Sequence, residues 1–181
     1  GFELSDVVRG MPKKTYNLNH ATSGTGTIYS DADNTWGDNA NYVENSSTTA
    51  ANGQTAAVDA HYGVQVTYDY FKNVLGRNGI DNANRAAYSR VHYSSSYDNA
   101  FWSDSCFCMT YGDGSSFTTL TSLDVAAHEM SHGVCANSAN LTYSGESGGL
   151  NESNSDIFGA VVEIYSRNGA TLPATVPNTD G

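Results

Sequence analysis

The pattern that most constrains this chain is the run His128–Glu129–Met130–Ser131–His132, which lies between apolar residues. On a helix, residues four apart lie one turn above each other, with Cβ atoms about 5–6 Å apart. Two imidazoles at that spacing can bind one Zn²⁺, and Glu129, about 100° around the helix, can reach a water molecule beside the metal. By chance, only about one chain in two hundred with this composition would contain the run. The pattern therefore predicts a zinc site on a helix rather than two histidines that only pack against a neighbour.

A catalytic zinc site needs a third protein ligand and one open position. Glu152 is the best candidate, because the glycine-containing stretch 137–149 lets the chain return antiparallel to the first helix. Asp156 follows Glu152 by one helical turn, where its carboxylate could accept the second N–H of a ligand histidine. Cys135 is the rival third ligand, but it lies nearly a turn beyond the point that both imidazoles reach. A buried or disulfide-bonded cysteine is the favoured interpretation of that residue.

Two more carboxylates lie on the same pair of predicted helices. Asp124 precedes His128 by one turn, and Glu163 follows Glu152 by three turns, about 20° off the same stripe. In an antiparallel pair they approach each other at one end, and buried neighbouring carboxylates need a cation or a proton between them. A Ca²⁺ site is one interpretation; a helix N-cap for Asp124 and a solvated face for Glu163 is the other.

The order of elements predicts an α+β fold, in which an antiparallel β-rich region precedes helices and the metal-binding run lies on a central helix. A first long helix is predicted at about 55–76, ending at Gly76. Strands are expected at 88–93 and 106–111, and two helices follow. We expect residues 1–121 to form a β-rich region that includes the first helix. Residues 122–167 would form a zinc-binding helix pair of the same domain, and residues 168–181 would form a loop.

Charge and hydropathy exclude two classes of partner. The chain has 19 acidic and 8 basic residues among 181, a formal net charge of −11. Nucleic acids and anionic membranes attract clustered Lys and Arg, so neither is expected as a partner. No apolar run approaches the roughly 20 residues of a membrane span.

The three cysteines permit one disulfide bond. Cys106 and Cys108 are two residues apart, and on a strand their side chains would point the same way. They are therefore expected to be poor partners for each other, and Cys135 is the better partner for either.

Eight stretches of the chain match, in order, motifs of one known family. The chain resembles the thermolysin family of secreted zinc endopeptidases over most of its length, although three cysteines are not a general feature of that family. The matching stretches are Val58–Tyr62, Val66–Tyr70, Val91–Ser94, Asn99–Trp102, Tyr111–Gly114, Asp124–His132, Glu146–Glu152 and Ser155–Gly159.

The resemblance implies roles for residues around the metal. Glu129 would be the general base and Tyr143 would donate a hydrogen bond to the tetrahedral intermediate. The zinc ligands would be His128, His132 and Glu152, and the residues that support them would be Asp156 and Asn151. From the residues alone, Tyr143 could instead pack the loop between the helices.

The resemblance also implies substrate and calcium contacts. Asn99 and the carbonyl group of Ala100 would contact the substrate backbone, although Asn99 alone could simply cap a turn. The apolar pocket for the residue after the scissile bond would be lined by Phe117, Leu120 and Val125. Asp124 and Glu163 would bind one calcium ion, and Asp31 and Asp33 would bind a second, at a more exposed site. From the residues alone, Asp31 and Asp33 could instead belong to an ordinary turn.

The implied function is that of a secreted, extracellular zinc endopeptidase, made as a zymogen. It would hydrolyse proteins and peptides on the amino side of apolar residues through a zinc-activated water, with one catalytic Zn²⁺ and one or more structural Ca²⁺ ions. Family members carry a further, mainly helical C-terminal domain that supplies a catalytic histidine, and no histidine follows His132 here. We expect that domain to be a separate chain or to have been lost. The alternative is a non-catalytic zinc- and calcium-binding fragment that is inactive without it.

Overall fold

Short strands and one long helix precede a pair of helices in a computed structural model that describes residues 1–169. Of the loop predicted at 168–181, residues 170–181 lie outside the described part. The strands are β1 (Phe2–Glu3), β2 (Ser5–Asp6), β3 (Lys13–Asn17), β4 (Thr27–Ile28), β5 (Ser30–Asp31), β6 (Ala87–Tyr93), β7 (Ala100–Ser103) and β8 (Cys108–Gly112). The helices are α1 (Ala51–Asn73), α2 (Leu123–Ala136) and α3 (Gly145–Arg167). The α+β class predicted from the sequence is confirmed.

The main sheet has six strands in the order β2-β3-β6-β8-β7, and β4 also pairs with β3. Its outer pairings, β2 with β3 and β7 with β8, are antiparallel, as expected. The central pairings, β3 with β6 and β6 with β8, are parallel, which the antiparallel expectation did not anticipate. Parallel neighbours need a long connection, and the chain between β3 and β6 provides one because it contains α1.

Helix α1 is buried on two sides, which explains its many small and aromatic residues. One side, including Ala57, Ala60 and Val64, packs into a core with sheet residues and with Ala126 and Met130 of α2. The other side joins a second core between the three helices, whose buried members are Val66, Tyr70, Phe71, Ala127, Val134, Val162 and Tyr165. Helix α2 therefore lies between the sheet and α3. None of the helices in residues 1–169 is both long enough and apolar enough to span a membrane.

The end of α1 shows why the chain turns where it does. The helix covers Ala51–Asn73, so it begins before the predicted start near residue 55 and ends before Gly76. Gly76 has a φ of +69°, and its N–H donates to the carbonyl oxygen of Lys72 at 3.1 Å. A left-handed residue just after the last turn is typical of glycine-terminated helices.

The disulfide expectation was wrong. Cys106 and Cys108 are bonded to each other, and Cys135 is a buried free thiol on α2. The reason is local: Cys106 lies in the turn before β8 rather than on the strand, and Phe107 has a φ of +54°. This turn brings the two Cα atoms to 5.3 Å, within the usual range for a disulfide.

Acid is expected to destabilise the fold through His61 on α1. This side chain is buried, and its Nδ1 lies 3.0 Å from Oγ1 of Thr15 on β3. Burial lowers the pKa of His61 from 6.5 to about 4. The unfolded chain therefore binds a proton at a higher pH than the folded chain does. The contribution of neutral, buried His61 to the free energy of unfolding is therefore complete above pH 6.5. It is lost as the pH falls towards 4, and the loss can reach about 3 kcal/mol.

The measurement is urea denaturation of wild type and His61→Asn at pH 7 and pH 4.5. Asparagine retains a polar atom near Thr15 but does not titrate in this range, so its free energy of unfolding should fall less on acidification. Equal losses in both proteins would show that His61 does not contribute to the acid sensitivity.

Candidate metal centre

Close packing of α2 against α3 builds the site. The two helices run antiparallel, since Asp124 lies next to Gly159 while His132 lies next to Asn151. A Cβ atom added at Gly159 would lie 2.9 Å from the carbonyl oxygen of Asp124, so a larger residue would push the helices apart. This approach places the N-terminal half of α3 directly opposite the two histidines of α2.

Three side chains converge between the helices. Nε2 of His128 lies 2.9 Å from Nε2 of His132. The Glu152 carboxylate is 3.2 Å from the first of these nitrogens and 3.5 Å from the second. Within residues 1–169, this is the one group of three His, Cys, Asp or Glu residues whose ligand atoms all lie within 4.8 Å of one another. The structure thus brings together the three residues that the sequence analysis named as ligands.

The partners of the two Nδ1 atoms indicate what this group can bind. Nδ1 of His128 donates to Asp156 at 2.8 Å, and Nδ1 of His132 donates to the amide oxygen of Asn151 at 2.7 Å. The Asn151 amide orientation follows from its NH₂ group, which donates to the Leu141 carbonyl oxygen. With both Nδ1 atoms protonated, each neutral ring has a lone pair on Nε2. Two lone pairs and a carboxylate facing one point fit a cation, and the N₂O donor set is typical of zinc.

Glu129 lies beside this group without belonging to it. It is buried, with 6% of its surface exposed, and a backbone N–H donates to it from Trp102 on β7. Burial raises the pKa of Glu129 to about 8, and the Glu152 charge also raises it, whereas the Trp102 N–H acts in the opposite direction. A cation held by the neighbouring ligands would favour the ionised form. Glu129 can therefore exchange a proton close to the metal-binding group.

Two cavities meet at His128 and Glu129 and form one cleft along β7. One has a volume of about 350 Å³, and its lining includes Leu120 and Val125. The other, of about 520 Å³, extends past His132 to Tyr143. Asn99 and Ala100 line both. The cleft is thus long enough to extend on both sides of the metal-binding group.

Two of the predicted site residues, Phe117 and Tyr143, are mostly exposed to solvent. Phe117 is 66% exposed and lines neither of the two cavities. Tyr143 is 67% exposed, and its hydroxyl donates to the Glu152 carboxylate while its ring lies near His132. Tyr143 is therefore at the site, on the side that faces solvent.

The residues predicted to bind calcium fall in two places. Asp124 and Glu163 both line the 350 Å³ cavity, and Glu163 also pairs with Arg167 one turn along α3. Asp31 and Asp33 lie on an exposed turn at the end of β5, where each carboxylate accepts a backbone N–H two residues ahead. They line neither cavity of the cleft.

Two contacts at the site were not predicted from the sequence. The Trp102 backbone N–H that contacts Glu129 could come from any residue type. Ser155, whose Oγ lies 3.2 Å from Nδ1 of His132, is one serine among 21. Its position one turn from Asn151 on α3 is the signal that could have indicated it.

Comparison with known proteins agrees with this geometry. The family model described as the catalytic domain of thermolysin metallopeptidases matches residues 1–136, and the one for their alpha-helical domain matches residues 139–176. The transglutaminase-activating metalloprotease of Streptomyces mobaraensis is 57% identical over 93% of this chain and 21% of its own length. A bacillolysin from Brevibacillus brevis is 45% identical over 90% of this chain and 28% of its own length.

A solved structure shows the same fold. The precursor of protealysin, a metalloproteinase from Serratia proteamaculans, superposes with a TM-score of 0.70 at 31% identity, covering 86% of this chain and 44% of its own. The chain spans only between about a fifth and just over a quarter of the length of the curated relatives described above. A family model that matches three quarters of the chain, together with the convergent histidines and glutamate, leads to one conclusion: this chain belongs to the thermolysin metallopeptidase family.

Proposed function

We propose that this chain forms the metal-binding wall of a secreted zinc endopeptidase. The observation that carries the proposal is the convergence of two histidine Nε2 atoms and the Glu152 carboxylate next to the buried Glu129. The chemistry fits peptide hydrolysis, because such a site pairs a cation with a base that is not one of its ligands.

The chain's own residues would divide the work as follows. His128, His132 and Glu152 would hold one Zn²⁺, with Asp156 and Asn151 fixing the two imidazole rings. The ion, when bound, polarises a carbonyl group and acidifies water. Glu129 would take the proton of the attacking water on its carboxylate and pass it to the leaving amine. Tyr143 would donate a hydrogen bond to the carbonyl oxygen of the scissile bond as negative charge develops there.

The cleft supports a preference for apolar residues after the scissile bond. Asn99 directly precedes the edge strand β7, and Ala100 is its first residue. The Asn99 side chain and the Ala100 carbonyl group would hold the substrate backbone. Leu120 and Val125 would contact the side chain that enters the 350 Å³ cavity. Phe117, which is exposed and precedes Leu120 by three residues, would contact longer side chains.

We propose structural calcium at the two carboxylate pairs. Asp124 and Glu163 carry negative charge at one end of the α2–α3 pair, and a cation there would relieve their repulsion. Asp31 and Asp33 would form the more exposed site on the turn after β5.

Zinc binding is expected to fail in Glu152→Gln. The neutral amide is a weaker ligand than a carboxylate, and loss of one of three ligands should lower zinc affinity by at least about a hundredfold. The measurement is zinc content after dialysis against a weak chelator, followed by titration calorimetry. Glu146→Gln is the matched control, since Glu146 is exposed in the first turn of the same helix. Stoichiometric, tight zinc in Glu152→Gln would remove Glu152 from the ligand set and contradict the proposed site.

A further inference from the structure

The carboxylate of Asp98 is surrounded by three successive backbone N–H groups. Its Oδ1 accepts from the amides of Ser115, Ser116 and Phe117 at 2.5, 3.0 and 3.2 Å, and its Oδ2 accepts from the Ser115 hydroxyl at 2.6 Å. Successive amides that point at one anion form a concave binding arrangement. Asp98 thus holds the segment between β8 and α2 from outside, across 17 to 19 residues of sequence.

The same segment is closed at its base by backbone hydrogen bonds. The amide of Gly114 donates to the Tyr97 carbonyl oxygen at 3.1 Å, and that of Leu120 donates to the Gly112 carbonyl oxygen at 3.0 Å. Gly114 has a φ of +81°, and a Cβ there would lie 2.3 Å from the Phe117 carbonyl oxygen. The loop 113–119 is therefore tightly folded. Gly114 joins its base to the segment before β7 through the backbone, and the Asp98 carboxylate joins its residues 115–117 to the same segment.

Both ends of this connection form walls of the 350 Å³ cavity. Asn99 and Ala100 follow Asp98 directly, and Leu120 follows the loop directly; all three line the cavity. A shift of the loop relative to β7 would change the distance between these walls. Asp98 itself does not line the cavity, but its hydrogen bonds join the loop that precedes Leu120 to the residue that precedes Asn99 and Ala100.

Because Asp98 and its partners are exposed, their hydrogen bonds affect the position of the loop more than the stability of the domain. Asp98 and Ser115–Phe117 lie at the surface, so water can replace the lost hydrogen bonds if the carboxylate is removed. Hydrogen bonds from Ser115 also lower the pKa of Asp98, so the carboxylate stays ionised in mild acid as well as at neutral pH. Removing it should therefore loosen the loop without unfolding the domain.

We propose that Asp98 is a positioning residue that fixes the Leu120 wall against β7 and so sets the preference for large apolar side chains in the 350 Å³ cavity. The proposal rests on the proposed endopeptidase function and deepens it. Asp98 contacts neither the metal ligands nor Glu129 in the hydrogen bonds described above. Its effect should appear in substrate discrimination rather than in the chemical step.

The test compares Asp98→Ala and Asp98→Asn in the zinc-loaded, full-length enzyme. The substrates are two peptides that differ only in Leu or Ala after the scissile bond. Wild type should favour Leu by about 10- to 200-fold in kcat/KM, and Asp98→Ala should lower that ratio at least about fivefold, mainly through KM for the Leu peptide. Asp98→Asn should stay close to wild type, because its amide oxygen can accept the three N–H groups and its NH₂ can donate to Ser115.

Asp81→Ala is the matched control. Asp81 is a half-buried residue whose carboxylate also accepts backbone N–H groups, those of Ala83 and Arg85, but it lines neither cavity of the cleft. Its substitution should leave both the Leu/Ala ratio and the zinc content unchanged. An unchanged ratio in Asp98→Ala, or an equal loss of kcat for both peptides, would overturn the proposal.

A readout without substrate separates this proposal from the proposed function. Amide hydrogen exchange at Ser115, Ser116, Phe117 and Leu120 should be faster in Asp98→Ala and near wild type in Asp98→Asn. Unchanged exchange in Asp98→Ala overturns the positioning role even in an active enzyme. A zinc-loaded wild type that hydrolyses neither peptide contradicts the endopeptidase function instead, and faster exchange would still show that Asp98 holds the loop.

Discussion

Glu129→Gln is expected to abolish nearly all peptide hydrolysis while leaving the fold and the zinc in place. Glutamine fills the same buried volume and can still accept the Trp102 backbone N–H through its amide oxygen. It cannot take a proton from water at neutral pH. General bases contribute about 10²–10⁴-fold, so the activity that remains should be at or below about one per cent.

The decisive comparison is kcat at saturating substrate together with zinc content. Glu129 is not among the converging ligand atoms, so Glu129→Gln should bind zinc stoichiometrically. Glu146→Gln, a surface change of the same kind, should keep wild-type kcat. Substantial activity in zinc-loaded Glu129→Gln would mean that another group takes the proton.

A protein made of residues 1–181 alone, which contains only the part of the helical domain that matches residues 139–176, is expected to bind zinc. It should hydrolyse peptides at least about a hundredfold more slowly than a protein that also contains the rest of that domain. The family resemblance implies that this domain supplies a histidine, and one oxyanion donor is worth about 10²–10³ in rate. The structure adds a second reason. Glu152 has a side chain that is 40% exposed, and Tyr143, whose hydroxyl contacts it, is 67% exposed. Water at this face weakens every charge interaction in the site.

Exposed apolar side chains on α3, Leu150 and Ile157, should also make the short protein associate. Exposed apolar patches promote contact between molecules, so sedimentation should show species larger than a monomer. Adding the rest of the helical domain should restore both activity and a single monomeric species. Full activity in a strictly monomeric protein of residues 1–181 would contradict this prediction. Zinc binding without any hydrolysis, even with the domain present, would favour the non-catalytic alternative.

The parts of the site that the sequence predicted well are those that depend on helical periodicity. His128 and His132 are one turn apart, and so are Glu152 and Asp156, so the spacing alone indicated which side chains share a face. The antiparallel return of α3 followed from the glycine-containing stretch between the helices. These are short-range regularities, and the structure reproduces the arrangement that they suggest.

Errors arose where the outcome depends on non-local pairing or on one unusual dihedral angle. The bond between Cys106 and Cys108 requires a left-handed residue between them, and Phe107 gives no hint that it adopts that conformation. The parallel central pairings depend on which strands become neighbours after the chain has passed through α1. The contacts of Asp98 join residues 17 or more apart through backbone amides, which every sequence offers equally.

The tight packing of α2 against α3 has a thermodynamic consequence for the metal. The two histidines lie on one side of residues 137–138, where the two family models meet, and Glu152 lies on the other. Any ion held by all three closes the intervening loop and acts as a cross-link between the helices. Ion occupancy and helix docking are then linked equilibria: at a free ion concentration a thousand times the dissociation constant, the docked state gains about 4 kcal/mol. The fraction of molecules in which α3 is docked thus depends on the free ion concentration. A chelator that removes the ion would weaken the docking of the helix that carries the third ligand.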